Sequence, residues 1–120
     1  MERHRKITPT DVDGLIDYSG NSFVYIEGKL VGANMVYGQR LAIENIIESH
    51  TAAGNPSVAF IFRHNVPAEE VIIAKDKIVY EVYRMKDDKF KWQSISDKKL
   101  TLLECVEAWE KHCKEIGVKI

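Results

Sequence analysis

The sequence predicts a single mixed α/β domain in which helices flank a β-sheet. The chain has 120 residues, of which 45% are hydrophobic and 29% charged, a composition typical of one soluble core. Strand-like and helix-like stretches follow the order ββαβ, then further strands and a last helix. Because no linker and no internal repeat divides the chain, residues 1–120 are interpreted as one domain.

The first half of the chain is predicted to hold a hairpin after a flexible basic arm over residues 1–10. Strand-like runs at Val12–Tyr18 and Phe23–Lys29 flank Ser19-Gly20-Asn21, which has the composition of a hairpin turn. The segment 30–38, which contains Gly32, Asn34 and Gly38, is expected to form a loop that leads into a helix.

That helix is predicted over about 35–53, where apolar residues recur at helical spacing and Gly54 provides the stop. The run Ser57–Arg63 (SVAFIFR) is almost continuously apolar, as in a strand that is buried on both faces. The sequence therefore predicts a central strand directly after the helix.

The second half is predicted to form an antiparallel meander and a closing helix. The meander strands are expected at Val71–Ala74, Ile78–Met85 and Phe90–Ile95, separated by charged turns. Thr101 and Glu104 have the spacing of a capping box, which marks the start of a helix. The apolar face of this helix is expected to consist of Leu102, Val106, Trp109, Cys113 and Ile116.

Charge, hydropathy and cysteine spacing indicate the class of protein and its cellular setting. Seventeen basic and eighteen acidic residues give a net charge of −1, so no overall positive field attracts nucleic acid. No apolar run approaches the ~20 residues of a membrane helix, and the N-terminus lacks a signal-peptide core. Cys105 and Cys113 share a predicted helix at ~12 Å, too far for a disulfide. This predicts a reducing, cytoplasmic setting without a membrane partner.

The predicted hairpin places two carboxylates opposite each other. A turn centred on Gly20 pairs Asp13 with Glu27, and directly opposed carboxylates repel. A divalent cation such as Mg²⁺ would justify the pair, and Lys29, on the same face, would help to deprotonate a metal-bound water. The alternative is a solvated strand face on which Lys29 offsets the two charges. Asp11 and Asp17 compete for the role of Asp13, but Asp17 pairs with Phe23 instead.

A glutamine on the apolar face of the first helix adds a second candidate. Gln39 falls among Val36, Ile43, Ile46 and His50, whereas Arg40, Glu44 and Glu48 are expected to lie away from the centre of that face. A buried amide without partners costs about 1–3 kcal/mol, so Gln39 is expected to reach the end of the Glu27–Lys29 strand. The alternative is an ordinary buried glutamine bonded to backbone, and His50 is interpreted as a core or boundary residue.

Together these residues resemble the PD-(D/E)XK nuclease superfamily, whose fold is restriction-endonuclease-like. The resemblance covers about residues 8–64 and is carried by Asp13, by Glu27-Gly28-Lys29 fourteen residues later, and by a helix with Gln39. It is closest to the small phage VRR-NUC and Holliday-junction-resolvase-like members. Val12 replaces the usual Pro, Gly28 replaces an apolar residue, and the helix that often precedes the motif is missing.

The resemblance implies a DNA endonuclease that depends on Mg²⁺ or Mn²⁺, acts on branched or duplex DNA and can form a homodimer. Asp13, Glu27 and the backbone carbonyl of Gly28 would bind the metal. Lys29 would be the catalytic lysine, and Gln39 would support it. The alternative function is that of a non-catalytic phage or host accessory protein, which uses the same fold as a nucleic-acid or protein binding module.

Contacts with DNA phosphates are expected from four basic residues: Arg3, Arg5, Lys6 and Arg40. Aromatic residues also alternate with lysines between residues 77 and 92. That pattern suits a nucleic-acid surface, and it equally suits an amphipathic meander with a solvated face. The chain contains no P-loop, dinucleotide fingerprint, serine-hydrolase motif or zinc-ligand spacing.

Overall fold

The computed structural model describes residues 11–30, 37–64 and 74–120. The strands are β1 (Asp11–Asp17), β2 (Phe23–Leu30), β3 (Ser57–His64), β4 (Val79–Lys86) and β5 (Lys89–Ser94), and the helices are α1 (Tyr37–Ala52) and α2 (Leu102–Glu115). Two short 3₁₀ helices lie at Ala74–Asp76 and Ser96–Lys98. No helix in these ranges is long and apolar enough to cross a membrane.

The five strands form one mixed sheet in the order β1-β2-β3-β4-β5. β2 and β3 run parallel, and every other neighbouring pair is antiparallel. A parallel pair needs a crossover connection, which α1 supplies. The predicted α/β class, the ββαβ order and the antiparallel pairing of the last two meander strands, which are β4 and β5, are confirmed.

The two helices cover opposite faces of the sheet because side chains alternate along each strand. From β3, Ala59 and Ile61 pack beneath α1, whereas Val58, Phe60 and Phe62 pack beneath α2. All five side chains are buried. The prediction that Ser57–Arg63 forms a strand buried on both faces is therefore confirmed.

Hydrogen bonds tie α2 to the N-terminal hairpin. The Trp109 indole donates to Ser22 Oγ at 3.0 Å, and the Tyr18 hydroxyl donates to Glu110 at 2.7 Å. The capping box of Thr101 and Glu104 forms as predicted. These contacts fix α2 across the sheet, close to the turn between β1 and β2.

Two element predictions were wrong in detail. Ile116 does not belong to the buried face of α2, since it is 51% exposed and follows the last helical residue. Gly117 comes next with a φ of 82°, which turns the chain away from the helix. Ala74 begins a 3₁₀ helix instead of ending a strand; the rest of the predicted Val71–Ala74 strand lies outside the described residues, as does the arm 1–10.

Candidate active site

The register of the N-terminal hairpin brings the predicted acidic residues into opposition. The backbone of Asp13 pairs with that of Glu27, Asp11 pairs with Lys29, and Asp17 pairs with Phe23. The turn has the predicted position, and Asp17 accepts a hydrogen bond from the Gly20 amide at 2.7 Å. The side chains of Asp11 and Asp13 lie outside the described part of the chain.

Glu27 and Lys29 are buried on the α1 side of the sheet, with only 3% and 5% of their surface exposed. Ionisable side chains are rarely buried to this extent unless other polar groups stabilise them. The Tyr25 hydroxyl donates to Glu27 Oε1 at 3.2 Å. The alternative of a solvated strand face is therefore wrong for these two residues.

Gly28 lies between these two residues and faces the other side of the sheet. A Cβ at this position would stand 2.5 Å from Cζ of Phe62, its partner on β3. The Phe62 ring thus occupies the space that an apolar side chain at position 28 would fill. A side chain larger than that of glycine at this position would therefore displace the Phe62 ring.

Gln39 is half-buried in the first turn of α1. Six residues separate Leu30, the end of β2, from Tyr37, the start of α1. The N-terminal end of α1 therefore lies near the C-terminal end of β2, where Glu27 and Lys29 are found. At the other end of the helix, His50 stacks on Phe23 with ring centroids 4.1 Å apart, so the boundary role predicted for His50 is confirmed.

Three further polar residues, which the sequence did not indicate, lie near this end of β2: Arg63, Tyr80 and Glu81. Arg63 pairs in register with Lys29, and its guanidinium lies 4.4 Å above the ring centroid of Tyr80. Glu81 pairs with Ile61, which in turn pairs with Glu27. The site is thus wider than the residues of β2.

A β-bulge explains why Tyr80 and Glu81 point here. Ile61 pairs with Glu81 but Phe62 pairs with Val79, so Tyr80 is the extra residue. Burial raises the pKa of the Tyr80 phenol, Arg63 lowers it, and the carboxylates of Glu81 and Glu27 raise it. The phenol therefore senses both carboxylates and remains protonated at neutral pH. No local sequence pattern marks such a bulge.

The polar residues of α1 flank its buried centre, as predicted. Arg40, Glu44 and Glu48 are half-buried, whereas Ile43 and Ile47 are fully buried. The sequence did not indicate their partners: Arg40 binds Glu81 at 2.8 and 3.1 Å. Glu44 accepts from the Trp92 indole at 2.8 Å, and Glu48 accepts from the Tyr83 hydroxyl at 2.5 Å. This stripe of α1 is bonded to β4 and β5.

The predicted DNA contacts have different outcomes. Arg3, Arg5 and Lys6 lie outside the described residues. Arg40 has internal partners, since its guanidinium also lies 4.5 Å over the Trp92 ring. The aromatic side chains of β4 and β5 pack beneath α1, while Lys86, Lys89 and Lys91 are exposed; the meander is amphipathic, and these aromatic rings belong to the core.

Candidate metal ligands come from two strands. Within the described ranges, no three His, Cys, Asp or Glu side chains form a metal-binding group; the Asp13 side chain lies outside those ranges. Glu27 is a buried carboxylate, and the backbone of Asp13 lies opposite it in the register; carboxylate oxygens are ligands that Mg²⁺ and Mn²⁺ accept.

Comparison of the chain with protein-family models, with curated protein sequences and with solved structures finds no match in any of the three. Any functional conclusion therefore depends on the geometry of the site and on the resemblance in its motifs.

Proposed function

We propose that the protein is a Mg²⁺- or Mn²⁺-dependent DNA endonuclease of the PD-(D/E)XK type. The observation that carries the proposal is the burial of Glu27 and Lys29 side by side on one face of β2, with Asp13 in register opposite Glu27. A carboxylate and an ammonium group cost free energy to bury. Such an arrangement is common where chemistry requires preorganised charge.

The metal ion would be held by Glu27, by the carbonyl of Gly28 and by Asp13. When bound, it supplies charge neutralisation at the phosphate and lowers the pKa of a coordinated water. The burial of the Glu27 carboxylate suits this role, because a fixed oxygen ligand needs no reordering when the ion arrives. Phe62 contributes indirectly, since its ring lies against Gly28 and restricts the backbone there.

The remaining residues are assigned by position. Lys29 Nζ would donate a hydrogen bond that orients the attacking water, and Gln39 would orient Lys29 from the start of α1. Arg63, beside Lys29 in the register, would bind a phosphate oxygen. DNA has access from the side of β1, where the α1 face is open: Leu15 is exposed on that strand.

The first test is cleavage of a labelled panel containing a four-way junction, a flap, linear duplex and single-stranded DNA, with Mg²⁺, Mn²⁺ or EDTA. We expect metal-dependent cleavage that Glu27→Gln reduces to background and that Lys29→Ala reduces by about 10²–10⁴-fold. Glu107→Gln removes an exposed carboxylate of α2 and serves as the matched control. Full activity in Glu27→Gln would refute the assignment.

Gln39→Leu separates a supporting role from ordinary packing. The substitution removes a half-buried amide and keeps a side chain of similar size, so the thermal midpoint should hold or rise. The cleavage rate should fall, because Lys29 loses an orienting partner. A destabilised variant with full activity would make Gln39 a structural residue.

Calorimetry with Mn²⁺ distinguishes the nuclease from the accessory-protein alternative. We expect the wild-type protein to bind Mn²⁺ and Glu27→Gln to lose most of that binding, whereas Lys29→Ala should lose little. A protein that binds DNA but neither binds Mn²⁺ nor cleaves any substrate of the panel would be a binding module.

A further inference from the structure

A second concave site lies on the face of the sheet that the proposed nuclease chemistry does not use. It is a cavity of about 300 Å³ between α2 and the β4–β5 hairpin. Its floor is formed by buried apolar side chains, among them Phe60, Val82 and Ile95. The volume is at the lower end of the range for small-molecule pockets, which suits a ligand with one chain or one ring.

The side chains that give this cavity its charge are one arginine and two lysines, with one histidine beside them. Arg84, Lys86 and Lys98 line it together with His112, and among the residues that the structure describes no acidic one contributes to its wall. Arg84 and Lys86 follow Val82 at intervals of two residues on β4, so they continue the apolar floor outward on the same face. The cavity therefore changes from apolar to cationic towards its mouth.

The hairpin places like charges opposite one another beside this mouth. Arg84 pairs in register with Lys91, and Lys86 pairs with Lys89. Directly opposed cations destabilise a strand pair. Within the described ranges, none of these four residues has an ion pair with a carboxylate. Two acidic residues, Asp87 and Asp88, occupy the turn of the hairpin, where both have positive φ, and Glu81 lies on the opposite face of β4.

We propose that this cavity binds a small amphipathic anion, a carboxylate or phosphate monoester with a single apolar group. The anionic head lies between Arg84 and Lys86, where it relieves the repulsion across the hairpin. The apolar group lies on Phe60 and Val82 beneath α2. A DNA backbone would satisfy the cations but would leave the apolar floor unused, so the cavity favours the small molecule.

The site is separate from the proposed nuclease centre. Glu27 and Lys29 face α1, whereas the cavity lies under α2. Arg84 and Lys86 lie three and five residues beyond Glu81 on β4, on the opposite face of the strand. The inference stands whether or not the protein cleaves DNA.

Titration calorimetry with sodium decanoate and with decyl phosphate tests the proposal on the full chain. We expect both to bind with dissociation constants on the order of 100 µM. The double variant Arg84→Gln/Lys86→Gln should weaken both by about tenfold or more. Lys75→Gln/Lys119→Gln changes the net charge equally at residues that do not line the cavity and should leave the affinity unchanged.

The apolar half of the site is tested separately. Ala108, at the cavity wall on α2, can be enlarged without loss of helix propensity. Ala108→Leu should weaken decanoate about fivefold or more, since its side chain takes up part of the space. Trp109 also lines the cavity, so its fluorescence should change on binding in Trp92→Phe, and no change should remain in Trp109→Phe.

Three outcomes would overturn the proposal. The first is an affinity for decanoate that the Arg84→Gln/Lys86→Gln variant leaves unchanged. The second is equal affinity for decanoate and for uncharged decan-1-ol, which would make the cations irrelevant. The third is binding of short duplex DNA, but of neither decanoate nor decyl phosphate, that depends on Arg84 and Lys86, which would assign the hairpin to phosphate backbone contacts.

Discussion

The two faces of the sheet are built from the same strands and yet differ in kind. On the α1 face, hydrogen bonds between side chains join the helix to β4 and β5, and charged residues of β2 are buried. On the α2 face, a continuous apolar cluster fills the interface. In β2 the alternation is direct: Glu27 and Lys29 face α1, whereas Val24 and Ile26 pack with the α2 cluster.

This difference shows how a small domain keeps a polar site without losing its core. The α2 face supplies most of the apolar burial, which is the main favourable contribution to folding. The α1 face can therefore accept the free-energy cost of buried polar groups, provided that each has partners. Gly28 is in contact with both faces of the sheet. Its neighbours Glu27 and Lys29 face α1, while the Phe62 ring packs against Gly28 from the α2 side.

The largest expected effect on the free energy of unfolding comes from removing the contact between Phe62 and Gly28. Phe62→Ala should destabilise the protein by about 3–5 kcal/mol. Gly28→Ala should cost about 1–3 kcal/mol, because its Cβ would overlap the Phe62 ring. In the double variant the clash is absent, so its loss should be smaller than the sum of the two. Urea unfolding of all four proteins measures the cycle, and additive losses would show that the residues do not meet.

A smaller effect is expected from removing one hydroxyl on the polar face. Tyr83→Phe deletes the donor to Glu48 and leaves a partly buried carboxylate, which should cost about 1.5–3 kcal/mol. Tyr18→Phe removes a similar bond to Glu110 at a more exposed position and should cost less. Thermal and urea unfolding compare the two. An equal loss would mean that burial does not strengthen the Tyr83 bond.

Alkaline pH should lower the free energy of unfolding through the buried thiol of Cys105 on the α2 face. Burial, with a smaller contribution from Glu104, raises the pKa of Cys105 from the ordinary 9.0 to about 11. Between these values the native state retains a proton that the unfolded chain has lost, so stability is complete below about pH 9 and falls towards pH 11. Unfolding free energies measured from pH 8 to 11 should decline less steeply in Cys105→Ala. Parallel declines would contradict the assignment.

The smallest effect is expected from the ion pair between Arg40 of α1 and Glu81 of β4. Arg40 and Glu81 are 33% and 17% exposed, so their ion pair should contribute at most about 1 kcal/mol. Arg40→Gln should therefore destabilise the protein only slightly, and the loss should shrink further at about 1 M salt. Chemical denaturation at low and high salt checks this. A loss above about 2 kcal/mol would place Arg40 among the core residues.

Much of the fold followed from patterns that are local in the sequence. The continuous apolar run SVAFIFR, the Ser19-Gly20-Asn21 turn and the Thr101–Glu104 capping box each predict one element without knowledge of its neighbours. The pairing of Asp13 with Glu27 was predictable for the same reason, because a short turn fixes the register of a hairpin.

The rest depended on contacts between distant segments. The register of β3 against β2, which brings Phe62 to Gly28, has no local signal, and neither has the bulge that turns Tyr80 and Glu81 towards the site. On a helical projection, Arg40, Glu44 and Glu48 lie away from the centre of the apolar face, and the projection does not reveal what they bind. Their partners are supplied by β4 and β5, which lie more than 30 residues later in the chain.

The attachment of α2 to the N-terminal hairpin also affects how the chain is made. Ser22 and Trp109 are separated by 87 residues, and Tyr18 and Glu110 by 92. A ribosome adds about 5–20 residues per second, so Ser22 waits roughly 4–17 s for its partner. In the later part of that interval, once β3 has been made, the side of β3 that α2 will cover has no helix against it. Nascent chains that stall before α2 should therefore depend on chaperones, while chains that have released α2 should not.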